Sequence, residues 1–232
     1  GQITTGVTFN PDGTYSHVPT TIAQKDDKWY ASINTLTNSA YSVIWNPVMV
    51  KSVENHWSKE IVNDMASRLV IAHPETFMPD QKITRGAFAE YITKALGLYR
   101  SGTISAQTFT DVFFTHELAY AIKTASDYGI ISGYPDGSFK PDMQISREEA
   151  MVMYAKAMTI AGLPEGDLDR INSFMDEDQI SGWAYNAVRM TVSARVFNGR
   201  TPETINPKDP FTYAEASAAI RNLLVASGLI NE

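Results

Sequence analysis

Gly129-Ile130-Ile131-Ser132-Gly133-Tyr134-Pro135-Asp136-Gly137-Ser138-Phe139-Lys140-Pro141, followed by Ile145-Ser146-Arg147-Glu148-Glu149, decides how this chain is read. The first stretch is dense in Gly, Pro, Asp and Ser, the residues that supply turns. The second is a helix start: the Ser146 hydroxyl can accept from the backbone three residues on, and Glu149 can reach back, which makes a capping box. Loop followed by capped helix recurs twice more. Ile83-Thr84-Arg85 and Phe211-Thr212-Tyr213-Ala214-Glu215 occupy the same place, so that Thr84, Ser146 and Thr212 are separated by 62 and 66 residues. The 66-residue offset holds without a gap from Glu117–Trp183 to Arg147–Tyr213. The first copy is shorter in its loop by two residues, where Ala72 to Phe77 stands for Ser132 to Phe139.

Each copy reads as helix, loop, helix. The opening helices are expected over 57–69, 118–128 and 183–195, and the closing helices over 85–96, 147–161 and 213–226. Leu118, Ala121, Ile122 and Ala125 form an apolar stripe at helical period, as do Phe88, Ile92, Ala95 and Leu96. Polar linkers over 97–108 and 162–173 join the copies. A single helix pair buries little, so the three copies are expected to share one core. The expected division is 1–46, a β-rich segment forming either the tail of an upstream domain or a small cap, then repeats at 47–100, 101–161 and 162–232. In the β-rich segment, residues 18–25 and 28–34 flank Asp26-Asp27 as a hairpin, 41–45 is a candidate strand, and Pro11-Asp12-Gly13 is a turn.

Composition bounds the function. The chain has 232 residues, 44% hydrophobic and 19% charged, with mean hydropathy −0.20, enough to bury a core. No apolar run approaches the ~20 residues of a membrane-crossing helix. Gly1-Gln2-Ile3-Thr4-Thr5 has neither the basic start nor the apolar stretch of a signal peptide, as would also hold for a fragment of a longer secreted protein. A net charge of −7 gives no long-range attraction to nucleic acid or anionic membrane. The absence of cysteine excludes disulfides and thiolate metal sites.

Arg85 and Arg147 stand out. Each follows its cap at the first helical position, where a cation opposes the helix dipole. An arginine beside free helix N–H groups would make an anion pocket, gripping a carboxylate or phosphate in two places. The ordinary alternative is an ion pair with an acidic residue of a neighbouring copy, such as Asp111 or Asp176. Thr84, Ser146 and Thr212 are first of all helix caps.

These residues carry a resemblance. Ile83-Thr84-Arg85 and Ile145-Ser146-Arg147-Glu148-Glu149 are similar to the Ile-Thr-Arg-Ala-Glu signature of S-layer homology (SLH) modules of Gram-positive surface proteins, such as those of Bacillus-like bacteria. The stretch 129–141 resembles the family's glycine-containing loop. Phe109-Thr110-Asp111-Val112, Phe174-Met175-Asp176 and His56-Trp57 are similar to its opening. The resemblance covers about residues 50–228. It implies a mainly α fold, a pseudo-threefold helical bundle of three helix-loop-helix repeats (a three-pronged spindle with grooves between the prongs), preceded by a short β-hairpin segment. It further implies a monomeric, non-catalytic anchor at the cell wall, without cofactor or metal. The ligand implied is a pyruvylated secondary cell-wall polysaccharide attached to peptidoglycan, whose ketal carboxylate suits an arginine. The groove residues it implies are Arg85 and Arg147, Asp111 and Asp176, Trp57 and Trp183, and Gly133 and Gly199, with Thr84 and Ser146 at the helix starts. Asp would accept sugar hydroxyls and orient Arg, indole would lie on a sugar face or pack in the core, and glycine would admit the ligand close to backbone.

No copy is complete. Tyr213 stands where Arg is expected, Ser52 where Asp111 and Asp176 stand, Ala72 for the loop glycine, Glu117 for the tryptophan, and Ala87 for the capping-box Glu. Two competent grooves at most are expected, that of Arg147 first and that of Arg85 second, with Tyr213 serving the scaffold.

Three other readings compete. For an enzyme, His17, His56, His73 and His116 form no metal-binding pattern, and no nucleophile elbow or phosphate loop is present. For a calcium site, Asp136 is followed by Ser138 and Lys140 where ligands would be needed, so Pro135-Asp136-Gly137 reads as a turn. The third is a helical-repeat scaffold for protein partners on the cell surface.

Overall fold

The computed structural model describes residues 4–36, 39–102 and 106–232. The linker expected over 97–108 thus falls partly outside the described residues, as do the first three residues of the chain. Five strands come first: β1 (Thr5–Phe9), β2 (Tyr15–Val18), β3 (Thr20–Lys25), β4 (Lys28–Ile33) and β5 (Tyr41–Ile44). Six α-helices follow: α1 (Lys59–Ser67), α2 (Arg85–Ala95), α3 (Ala119–Asp127), α4 (Arg147–Ala161), α5 (Tyr185–Ser193) and α6 (Tyr213–Ala226), with short 3-10 turns between them.

The β3–β4 hairpin forms around Asp26-Asp27, both at positive φ (51° and 60°), the geometry a two-residue hairpin turn demands. Pro11-Asp12-Gly13 turns β1 into β2, and β5 pairs with the other edge of β1, giving a three-stranded antiparallel sheet of order β2-β1-β5. The expected strands leave out β1 and β2; in β1 the alternation is masked by Thr5 and Thr8, which are fully buried. The β segment packs on the repeats. β2 lies against α2, and a Cβ on Gly97 would sit 2.6 Å from Pro19 Cδ. Asn46 Nδ2 donates to Ser67 O (2.9 Å), and Asn231 exchanges two hydrogen bonds with the Ile22 backbone (2.6 and 3.2 Å).

The repeats are tied in a cycle. Ile83 N–H donates to the Phe211 carbonyl (2.9 Å), Phe211 N–H to Ile145 (3.0 Å), and Ile145 N–H to Ile83 (3.2 Å). The helices follow the same rule. The closing helix of each repeat packs on the opening helix of the next: α2 on α3, α4 on α5, and α6 on α1. At the centre, Phe88, Tyr154, Phe197 and Phe211 meet with ring centroids 5.0–6.1 Å apart. Such pairs add about 0.5–1.5 kcal/mol each beyond their burial. Tyr154 is fully buried, and its hydroxyl is satisfied by the Ala216 carbonyl at 2.8 Å. Phe88 faces two alanines at the equivalent places, Ala150 and Ala216, and Tyr154 faces Ile92 and Ile220. One large ring per layer thus fills a centre that three large rings would overpack.

The mainly α bundle implied by the resemblance is therefore corrected. The chain is only about 37% helical and carries about 14% strand in two antiparallel sheets. The reason is physical. The opening helices are only nine residues long, so each repeat is largely loop. The main helix contacts run between successive repeats rather than among the three closing helices, and the β segment forms a layer of its own.

Candidate functional site

The closing helices start in the same way three times. Thr84, Ser146 and Thr212 are N-caps, accepting from the third N–H of their helices at 3.2–3.3 Å. Glu149 and Glu215 complete two capping boxes. The first two N–H groups of each helix are also taken. Arg85 and Gly86 donate to the Met143 and Pro141 carbonyls, Arg147 and Glu148 to Asp209 and Pro207, and Tyr213 and Ala214 to Gln81 and Pro79, all at 2.9–3.1 Å. This corrects one premise of the sequence reading. The helix starts have no free N–H groups for an anion, because the backbone of the next repeat has already used them.

The arginines are held alike. Arg85 Nε donates to Phe139 O (2.9 Å), Nη2 to Ser132 O (3.4 Å) and Nη1 to Glu149 Oε1 (3.2 Å). Arg147 Nε donates to Ile205 O (2.7 Å), Nη2 to Asn198 O (3.3 Å) and Nη1 to Glu215 Oε1 (2.9 Å). Both side chains are almost wholly buried. Burial lowers the Arg147 pKa, with Glu215 acting in the opposite direction. The ion-pair alternative therefore holds, but with the capping-box Glu of the next repeat rather than with Asp111 or Asp176. A guanidinium carries five N–H donors, so these bonds leave two on each arginine.

Asp111 and Asp176 serve the loops. Asp111 accepts from Phe139 and Lys140 N–H (2.8 and 2.7 Å), and Asp176 from Ile205 and Asn206 N–H (2.8 and 2.7 Å). Each thereby clamps a residue at positive φ: Lys140 at 58° and Asn206 at 55°. Ser52 in the first repeat has no such residue to hold: Met78, the counterpart of Lys140, is not at positive φ. Gly133 and Gly199 have an internal reason to be glycine. A Cβ would stand 2.7 Å from the Phe109 ring and 2.5 Å from the Phe174 ring, respectively.

Among the described residues, three grooves open between the repeats, each drawing on all three. One of about 580 Å³ is lined by Arg147, Gly199, Arg200, Glu215 and, from the first repeat, Trp57, Asp80 and Lys82. One of about 310 Å³ is lined by Arg85, Gly133, Tyr134, Glu149, Lys156 and, from the third repeat, Trp183. Both tryptophans are 63% exposed; core packing does not account for them. Lys156 Nζ donates to Ser132 Oγ (3.0 Å), and burial lowers its pKa. The third groove, about 340 Å³, has Tyr213 in the arginine's place, Ala87 in the glutamate's and Glu117 in the tryptophan's, beside Glu90 and Tyr91. The two Arg grooves each hold more cations than carboxylates; the Tyr213 groove is lined by two carboxylates and His73, and by neither Arg nor Lys.

The sequence reading missed Lys82, Lys156 and Arg200. Arg200 was available from the 66-residue offset, which sets it opposite Tyr134; the other two lie outside the recurring motifs. Among the described residues, no cluster of His, Asp and Glu is arranged to hold a metal ion, and no helix is long and apolar enough to cross a membrane.

The chain matches the family model for the S-layer homology domain three times, at residues 50–89, 108–151 and 173–217, and it belongs to that family. An amylopullulanase of Thermoanaerobacterium thermosulfurigenes is 29% identical over 86% of this chain, which spans 11% of that enzyme. A cellulosome-anchoring protein of Acetivibrio thermocellus is 32% identical over 64% of the chain and 33% of its own length. A surface layer protein of Brevibacillus choshinensis is 38% identical over 35% of the chain and 8% of its own length. The chain thus spans a minor part of each. The S-layer homology domain is a non-catalytic module of bacterial cell-surface proteins.

Proposed function

We propose that this chain is the cell-wall anchoring part of a surface protein, and that its two Arg grooves bind the anionic, pyruvylated secondary polysaccharide carried by peptidoglycan. The observation that carries this reading is the pairing, in each groove, of an exposed tryptophan from one repeat with cations from the other two. Trp57 stands with Arg147 and Arg200, and Trp183 with Arg85 and Lys156. An indole offers a sugar its flat apolar face, and a cation with unspent donors offers its carboxylate a charged hydrogen bond. Arg85 and Arg147 are already paired inside the protein, and Arg200 is paired with Glu215 and Asp209 at the groove rim, so Lys156 and Lys82 add to the charge that a ligand meets. Asp111, Asp176, Gly133, Gly199, Thr84 and Ser146 act by shaping the loops and helix starts that form the groove walls.

Calorimetry with pyruvylated N-acetylmannosamine tests this reading. Trp57→Ala and Trp183→Ala should each abolish one site, with the fold intact because both rings are exposed. Retention on purified peptidoglycan should fall when its acid-labile polymer is removed. Equal retention after removal, or unchanged affinity in the double tryptophan variant, would overturn the proposal in favour of a scaffold for protein partners.

A further inference from the structure

The Tyr213 groove is close in size to the Arg85 groove but has no Arg or Lys in its lining. Its floor is aromatic: Tyr91 and Tyr213 meet edge to face with centroids 5.6 Å apart. Tyr91 is only 6% exposed and lines the cavity, yet its hydroxyl has no hydrogen-bond partner among the described residues. The hydroxyl is not among the fully buried polar atoms that lack a partner, so it opens into the groove, where a ligand can bond it. Glu90 is paired with Lys94 at 2.8 Å. Glu117 is exposed and pairs with no cation among the described residues. Both carboxylates lie near enough to Tyr213 to disfavour its ionisation, after burial itself. The groove therefore offers hydroxyls, carboxylate oxygens and the exposed His73 ring, and neither Arg nor Lys lines it.

We infer that this third groove is a separate binding site for a sugar bearing a free ammonium group, a hexosamine that is not N-acetylated. The ring would lie against the Tyr213 face, its hydroxyls would engage the Tyr91 hydroxyl, and the ammonium would meet Glu117. This groove offers an anionic sugar no arginine or lysine, so one molecule would carry two kinds of site for two chemical features of a wall glycan. The inference does not depend on the ligand of the Arg grooves, since its residues and its probe are different.

The test is NMR titration of the full chain with a β-1,4-linked glucosamine disaccharide, in mildly acidic buffer that keeps the amines protonated. Shifts should cluster around Tyr91, Glu117 and Tyr213 and saturate, and the N-acetylated disaccharide should bind at least tenfold more weakly. Glu117→Gln and Tyr91→Phe should each weaken the amine sugar about fivefold or more, while leaving the shifts of Trp57 and Trp183 unchanged. Equal binding of the N-acetylated sugar, equal binding of free lysine, or indifference to both substitutions would overturn the inference.

Discussion

Arg147 and Glu215 belong to different repeats, yet guanidinium Nη1 and carboxylate Oε1 lie 2.9 Å apart, and Arg85 and Glu149 repeat the relation one step earlier in the cycle. The third member of the set would join position 213 to position 87, and there the chain has Tyr and Ala. Two departures that look independent in the sequence are the two halves of one missing ion pair.

This relation predicts the outcome of restoring the pair. Tyr213→Arg alone should destabilise the protein, by less than the ~3 kcal/mol of an unpaired buried charge, since it sets a cation in a partly buried place without the capping-box carboxylate but with Glu90 and Glu117 in the same groove. Adding Ala87→Glu should recover most of that loss. Urea unfolding of both single variants and the double variant gives the coupling; additive effects would contradict the relation.

The two existing pairs should differ in what they tolerate. After Arg147→Ala, Glu215 keeps Arg200, whose Nε and Nη2 lie 3.1 and 3.0 Å from its Oε1. After Arg85→Ala, Glu149 keeps only the Tyr134 hydroxyl at 3.3 Å and its own capping contacts. Arg85→Ala should cost about 3 kcal/mol, and Arg147→Ala about 1 kcal/mol less. Chemical denaturation at neutral pH reads both.

Acid should act through His17. This ring is buried in the β segment, with Nδ1 2.9 Å from Thr5 Oγ1. Burial, with a further contribution from the Arg68 charge, lowers its pKa from 6.5 to about 3. The unfolded chain takes up this proton as pH falls through the ordinary value, whereas the folded chain does not until near pH 3. Stability is complete above the ordinary value and drains between there and the folded pKa, by up to about 1.4 kcal/mol per pH unit. His17→Gln should flatten the stability–pH curve over that window; parallel curves would refute the assignment.

Helix ends offer a gain. The opening helices turn off through residues at positive φ: Leu69 at 64°, Gly129 at 68° and Arg195 at 58°. Only the second repeat uses glycine there. Arg195 is exposed, so Arg195→Gly should raise stability by about 0.5–1 kcal/mol, the left-handed penalty removed less the added freedom of the unfolded chain. A thermal melt checks the sign.

Much of this is legible in the sequence. Caps at Thr84, Ser146 and Thr212 are local, so spacing alone found them. The Asp26-Asp27 turn is local too, and its hairpin followed. What remained hidden was long-range. Nothing at position 85 says that its partner is Glu149 rather than Asp111, since both lie far along the chain. The helix starts looked open because the carbonyls that close them, such as Met143 and Asp209, come from another repeat. Trp57 and Trp183 are apolar by composition, and only the fold puts them outside.

Since every groove borrows side chains from all three repeats, the number of sites is not proportional to the number of copies. Deleting one repeat would open the ring and dismantle all three clefts at once. Appending a fourth would add none unless the ring re-formed. Diversification is thereby confined to substitution within a fixed valency, and the Tyr213–Ala87 interface is where this chain has already used that freedom.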